Sequence, residues 1–473
     1  MQQSSSFVFL LTEYENRRKL NEKGAENMVD LCICNARIMD PASETDTIGA
    51  VSVRNGIIED ITANPVEAAC TIDAKGLVCA PGFLDIHTHE DDYTELQNCM
   101  LPLEISKAAL RTGVTTIVTG NCGMSSPDPA AYYEGLQKHP VPVNCYMLMG
   151  NATLRRMVGL AAYDKATPIQ ISKMCGFLRE AFQAGAIGVS FGLQYDPGTA
   201  YEEEEALCSV AAEANRIMTV HMRYDYPEKA KETLEEILSL GKETGVRIEI
   251  SHIAANLYGK GIIQWADQAI RDSGCNAACD MYPYNIWATS LQSAVFDEGF
   301  DHFNFTVEDL EILNGEHAGE YCTEELYHTL RKLRENTKVA CHNAMPIEDV
   351  EAAYCLPYCM MGSDGQFHRD GSGHLHGHPR GAGSPAKVLG EFVREKKLFS
   401  LMDGLRKLTC LPAEQFGLAG KGRIQPGADA DLVIFNPDTI RDRASFGTDC
   451  CGISPEGISY VLTGGKIQYC GSK

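Results

Sequence analysis

The chain has no apolar run long enough to cross a membrane. The patch at residues 7–11 falls far short of the roughly 20 residues a spanning helix needs, and nothing after it has the layout of a secretory signal. Positive charge is scarce, with 41 Lys and Arg against 64 Asp and Glu for a net charge of −23. That field repels nucleic acid and anionic lipid, so neither is expected as a partner, whereas a small anion can still be held by a local arginine. No two cysteines are spaced CxxC, and their number is odd at 19. A disulfide framework and a zinc ribbon are both excluded. The cysteines read as small buried apolar residues kept reduced in a cytoplasm.

The chain itself is organised in three kinds of segment. Residues 1–27 are polar after the short apolar patch and read as an extension outside the fold. From Val29, short alternating segments split by Asn-Gly and Lys-Gly turns read as a β-meander. A second such group, GADADLVIFNP and ISYVLTGGKIQYCG, closes the chain. Residues 28–80 and 415–473 are therefore expected to form one small β-sandwich from both chain ends. Between them, eight apolar β-branched runs alternate with stretches of helical spacing: GFLDIH, VTTIVTG, VNCYMLMG, AIGVSFGL, IMTVHM, RIEISHI, AACDMYPY and MMGSDG. Buried strands alternating with amphipathic helices make a parallel sheet covered by helices, and eight of them over residues 81–414 make an α/β fold of the TIM type, a (β/α)8 barrel. The longest gap, about 285–359, follows the seventh run and is expected to carry a lid.

Active sites of such barrels lie at the C-terminal strand ends. There the sequence places His87 and His89, Cys122, His221, His252 and Asp364. Alternate residues of a strand share a face, so the His-Thr-His spacing can aim two imidazoles at one ion. A single strand histidine is usually a core residue; four, with a cysteine and an aspartate, at five strand ends are not explained by packing. These are the ligand types zinc prefers, and a thiolate at Cys122 can bridge two metals. The turn Gly120-Asn121-Cys122-Gly123 is polar and tight, unlike the surroundings of the other cysteines. His368, His374, His376 and His378 lie in a Gly-rich stretch whose composition points to a mobile or solvated loop, not to a second metal site.

Taken together, PGFLDIHTHED, TGNCGMS, GLQYDPG, HMR, SHI, MYPYN, GSDG, HPR and the closing GRIQPGADADLVIFNP resemble the N-acyl-D-amino-acid deacylases of the amidohydrolase superfamily, from about Met28 onward. The resemblance implies a zinc-dependent hydrolase of linear amides whose substrate is an N-acyl amino acid, with D configuration borrowed from the family. It implies one tight Zn2+ on Cys122, His221 and His252, and a second, weaker position at His87, His89 and Asp364. Asp364 matches the general base, and Arg380 matches the group that anchors the substrate carboxylate. Tyr195, Arg223 and Tyr284 are further candidates for the pocket wall. Strand four ends Ser190-Phe191-Gly192-Leu193, without the carboxylated lysine of many amidohydrolases, as in the deacylase branch. Two positions depart from the family: Ala254 stands where a lysine is usual and Asn151 where a histidine is usual. The first removes a cationic contact and implies a specificity shifted towards a larger, acidic or uncharged amide. Two other readings stay open, a cyclic amidohydrolase of the dihydroorotase or hydantoinase kind and a scaffold that has lost its chemistry. A homo-oligomer is compatible with each.

Overall fold

The computed structural model describes residues 28–94, 99–333 and 336–471; the extension expected at 1–27 lies outside the described residues. The barrel strands are Phe83–Asp85, Val114–Thr119, Asn144–Met147 with Met149–Gly150, Gly188–Gly192, Ile217–His221, Arg247–Ile250, Ala277–Met281 and Cys359–Met361. They pair in parallel in chain order, in two hydrogen-bonded arcs that meet where strand three breaks at Leu148. The seam between strands eight and one is carried beyond the strands themselves. Thr88 bridges Gly365, and the Asp364 N–H donates to the His87 carbonyl at 2.7 Å.

Strands four and five are buried along their whole length, as expected where helices cover one face and side chains fill the other. Period-2 alternation then sets the polarity of the barrel. Ile217 and His221, like Ala278 and Asp280, stand an even number of residues apart and share a face. Val118, Ile217, Ala278 and Met360 form an apolar cluster with Phe416 and Leu418, while the polar members of the same faces lie at the mouth. The helix Pro168–Gln183 shows how the outer layer is specified. Thr167 and Gln170 form a capping box, Pro168 sits in the first turn, and Met174, Cys175, Leu178, Ala181 and Phe182 form the buried stripe. Truncating Leu178 to alanine would cost about 2–5 kcal/mol.

The β-rich ends join in one sheet of eight strands. Val29–Asp40 is its central member, pairing Thr45–Arg54 on one side and both Ala68–Asp73 and Val78–Pro81 on the other. The strands Leu432–Phe435, Ile458–Thr463 and Lys466–Cys470 continue it from Val78–Pro81. Ile58, near one end of this path, and Leu462, near the other, belong to the same apolar cluster, so the sheet folds over a single core.

Between strands seven and eight the chain builds a three-stranded antiparallel sheet from Trp287–Ser290, Leu310–Ile312 and Lys338–Cys341. Trp287 packs on Phe296, Phe303 and Phe305 at centroid distances of 5.4–6.2 Å. The histidine-rich stretch expected as an irregular loop is a β-hairpin, Phe367–Arg369 with Leu375–Gly377. Among the described residues, no helix is long and apolar enough to cross a membrane.

Candidate metal centre and substrate cleft

Three residues that shape the site sit in backbone conformations L-residues avoid: Cys122 (φ 51°), His252 (φ 36°) and Asp364 (φ 51°). Each lies just past the end of a barrel strand, and each cost is borne by specific anchors. Around Cys122, the Asn121 side-chain amide faces the carbonyls of Ile86, Thr88 and Val118 at 3.1–3.4 Å, tying the turn to the extension of strand one. Ser190 accepts from the Gly123 N–H at 3.1 Å and donates to the Gly120 carbonyl. Two neighbours must be glycine: a Cβ at Gly192 would lie 2.2 Å from the Cys122 carbonyl oxygen, and one at Gly150 2.2 Å from that of Gly123. The end of strand four, where other barrels place a lysine, is thus filled by the cysteine turn.

Six side chains predicted as ligands from the sequence converge. Cys122 Sγ lies 3.3 Å from His87 Nε2, 3.8 Å from His252 Nε2 and 4.0 Å from His221 Nδ1. His89 Nε2 lies 2.9 Å, and His87 Nε2 3.5 Å, from Asp364 Oδ1. Two donor groups within 4.8 Å result, His87-Cys122-His252 and His87-His89-Asp364. His87, expected in the second position alone, belongs to both, because Cys122 lies between the two halves.

The imidazoles are oriented by groups the sequence reading missed. His87 Nδ1 meets Asp280 Oδ2 at 2.8 Å, His252 Nδ1 meets Asn256 Oδ1 at 3.0 Å, and His221 Nε2 meets Gln194 Oε1 at 2.7 Å. Each partner is an acceptor, so each ring donates its outer N–H, and neutral His221 and His252 rings turn a lone pair inward. His221 Nδ1 and His252 Nε2 then face one another at 3.0 Å with no proton between them, beside a thiol that is readily ionised. Burial pushes the Cys122 thiol up, but His87, His221 and His252 outweigh it and hold it well below its usual range. Facing lone pairs around a thiolate are relieved by a shared cation, and the donor set is one zinc favours. Asp364 is buried, which pushes its pKa up; Arg380, His87 and His89 overcome this and hold it well below the usual carboxylate range.

The cleft over these groups holds about 320 Å³, counting the space open to solvent, and is lined among others by Tyr195, Asp225, Tyr282, Trp287, Ala288 and Thr289. Tyr195 is where it was expected, its ring 4.5 Å from that of His221. Arg380 is buried, pairs through Nη2 with Asp364 at 2.8 Å and stacks on the Tyr282 ring at 4.5 Å. Its Nε and Nη1 have no partner. His378, two residues earlier, accepts from the Arg380 N–H and donates to the Ile286 carbonyl, both at 3.0 Å, fixing this loop to the start of the insertion.

Two expected wall residues are placed elsewhere. Arg223 turns away from the cleft to Glu204 and Glu236 at 2.6 and 2.8 Å, since strand five has ended at His221 and the chain there runs towards the next helix. Tyr284 donates its hydroxyl to Asp442 at 2.6 Å; Tyr282 takes the place at the wall. Of the two family departures, Ala254 is fully buried in the helix Ile253–Asn256, and Asn151 donates to Glu203 at 2.8 Å, away from the donors.

The amidohydrolase family model matches residues 70–277 and 359–469, passing over the insertion, and the chain belongs to that family. Within it, the similarity runs to the deacylases of N-acyl-D-amino acids. N-acyl-D-glutamate deacylase of Alcaligenes xylosoxydans xylosoxydans is 30% identical over 93% of this chain and 93% of its own. D-aminoacylase of the same organism is 32% identical over 88% of this chain and 90% of its own. The crystal structure of N-acyl-D-glutamate deacylase from Bordetella bronchiseptica, complexed with zinc and a phosphonate mimic of the tetrahedral intermediate, superposes with a TM-score of 0.80, at 30% identity and 93% and 96% coverage. An L-hydantoinase from Arthrobacter aurescens, 19% identical with a TM-score of 0.60, shares the fold.

Proposed function

We propose that this protein is a zinc-dependent amidohydrolase that deacylates N-acyl-D-amino acids. The observation that carries the reading is the convergence of the inner nitrogens of His87, His221 and His252 on Cys122 Sγ, with Asp364 beside them. Cys122, His221 and His252 would hold the tighter ion, and His87, His89 and Asp364 would provide a second, weaker position. Zinc bound there supplies Lewis acidity, acidifying water and polarising the scissile carbonyl.

The chain's own groups do the rest. Asp364 is ionised at rest, so it can take a proton from the attacking water and deliver it to the leaving nitrogen, which cannot depart as an amide anion. Arg380 fixes Asp364 with one edge and offers its unpartnered Nε and Nη1 hydrogens to the substrate carboxylate. Tyr195 and Tyr282 bound the cleft, and the insertion adds Trp287, Ala288 and Thr289 to its wall. In these terms, residues 81–414 carry the catalytic barrel and 28–80 with 415–473 the appended β-structure. The alternative of a ring-opening enzyme with a strand-four lysine is opposed by the end of strand four, Ser190-Phe191-Gly192-Leu193, which carries no lysine.

The test is a panel of N-acetyl-D- and N-acetyl-L-amino acids beside cyclic ureides, assayed before and after removal of metal by a chelator. Hydrolysis of the D-series, lost with the chelator and restored by Zn2+, is the expected result. Turnover of cyclic ureides alone, or turnover indifferent to chelation, would overturn the reading.

A further inference from the structure

Ala254 leaves the cleft without a cation from strand six, yet a substrate carboxylate has to be drawn into a protein of net charge −23. Arg380 is the cation that the barrel itself provides there, and half of its guanidinium is already committed to Asp364. The insertion brings another. Lys338 opens the strand Lys338–Cys341, which runs antiparallel to Trp287–Ser290 with Lys338 opposite Ser290 and Ala340 opposite Ala288. Ala288 and Thr289 line the cleft, and the Ala288 carbonyl lies 3.5 Å from Arg380 Nη2.

The backbone of Lys338 is fixed on both sides. Its N–H donates to Asn314 Oδ1 at 2.7 Å, and its carbonyl accepts from the Leu313 N–H at 2.8 Å. Its side chain, in contrast, is uncommitted: among the described residues no carboxylate, carbonyl or hydroxyl pairs with the ammonium. It is half-buried. Burial lowers its pKa; of the charges that act on it, Asp364 and Cys122 raise it and Arg380 lowers it. Lys338 stands opposite Ser290, which shares its strand face with Ala288, so the Lys338 side chain lies on the face of this sheet that carries Ala288 of the cleft wall. Asp364 takes up Arg380 Nη2, so what is left for a substrate carboxylate is the Lys338 ammonium and the unpartnered Nη1 of Arg380.

We propose that Lys338 is a specificity-determining residue of this enzyme: together with Arg380 it binds the α-carboxylate of the N-acyl amino acid, from the insertion wall instead of from strand six. The inference rests on the deacylase reading above. Arg380 engages the carboxylate through its unpartnered Nη1 hydrogens, and Lys338 contributes a point charge from the insertion sheet. The substrates so selected carry a free carboxylate next to the scissile nitrogen; the corresponding carboxamides lose both contacts.

The experiment compares N-acetyl-D-amino acids with their carboxamides on the wild type, Lys338→Met and Lys338→Arg, with zinc content and thermal midpoint as controls for folding. Methionine keeps the apolar stem and removes only the charge. The expected result is a KM for the free acids raised about tenfold by Lys338→Met, the worth of one charge-assisted contact. The KM for carboxamides and the kcat for both should stay close to wild type, with part of the loss recovered in Lys338→Arg. An equal effect on acids and carboxamides would overturn the inference and leave the deacylase reading standing. So would a loss confined to substrates with a second, side-chain carboxylate. A wild type that cleaves no N-acyl-D-amino acid would overturn the deacylase reading, and the inference with it.

Discussion

Two histidine-rich regions of this molecule look alike in sequence and do opposite things. In the hairpin, His374 meets Asp449 at 2.7 Å and His376 meets Asp370 at 2.9 Å; each ring has a private carboxylate and the pairs diverge. At the barrel mouth, His87, His221 and His252 have their outer nitrogens tied to Asp280, Gln194 and Asn256, and their inner nitrogens meet at Cys122. What separates a metal centre from a polar hairpin is therefore not the number of histidines but where each second nitrogen is spent. The cost differs too: the barrel site holds Cys122, His252 and Asp364 at positive φ, strain that the hairpin histidines do not carry.

The comparison can be broken most severely at Cys122. Cys122→Ser should lower zinc content below about one ion per chain and activity by about three orders of magnitude or more, by metal analysis and kcat/KM; retained zinc would remove the thiolate from the centre. Asp364→Asn should lower kcat by about 10²–10⁴-fold while the tighter ion stays bound, and near-normal turnover would refute its role as base. Asp280→Asn touches no donor directly, yet should weaken metal binding about 10–100-fold by loosening His87; a competition titration with a chelator reads this, and unchanged affinity would mean His87 needs no such support. The variant His374→Ala, at the exposed histidine of the hairpin, should change zinc content and kcat/KM less than about twofold, with stability moving within about 0.5 kcal/mol, as exposed substitutions do.

An effect read in stability and not in turnover concerns Asp225 in the cleft wall, buried with one oxygen unpartnered. Burial pushes its pKa up to about 7 from 3.8. A raised carboxylate pKa stabilises the fold fully below the ordinary value and loses that contribution as pH rises through the raised one. Asp225→Asn removes the loss, so the Tm difference between variant and wild type should increase from pH 5 to pH 8. A difference that does not change with pH would contradict the assignment.

The ligands were legible because strand alternation and strand ends are local signals: His87 and His89 two apart, His221 and His252 closing apolar runs. Asp280, on strand seven, was missed because a lone aspartate in a buried run carries no metal signature. Asn256 orients His252 from one helical turn away, a relation that appears only once the short helix Ile253–Asn256 is known. Arg223 and Tyr284 were misplaced for one reason: beyond a strand's last residue, alternation no longer predicts direction. The three-stranded insertion was hidden because its phenylalanines pack on one another through a loop path without period, and Lys338 acquires its meaning only from the strand pairing that carries it to the cleft.

The central claim is the meeting of distant side chains on one ion, and anomalous diffraction at the zinc edge from crystals of the purified protein measures it directly. The account predicts the strongest peak within bonding distance of Cys122 Sγ, His221 Nδ1 and His252 Nε2, with any weaker peak towards His87, His89 and Asp364. A zinc peak at the hairpin histidines and none beside Cys122 would contradict it.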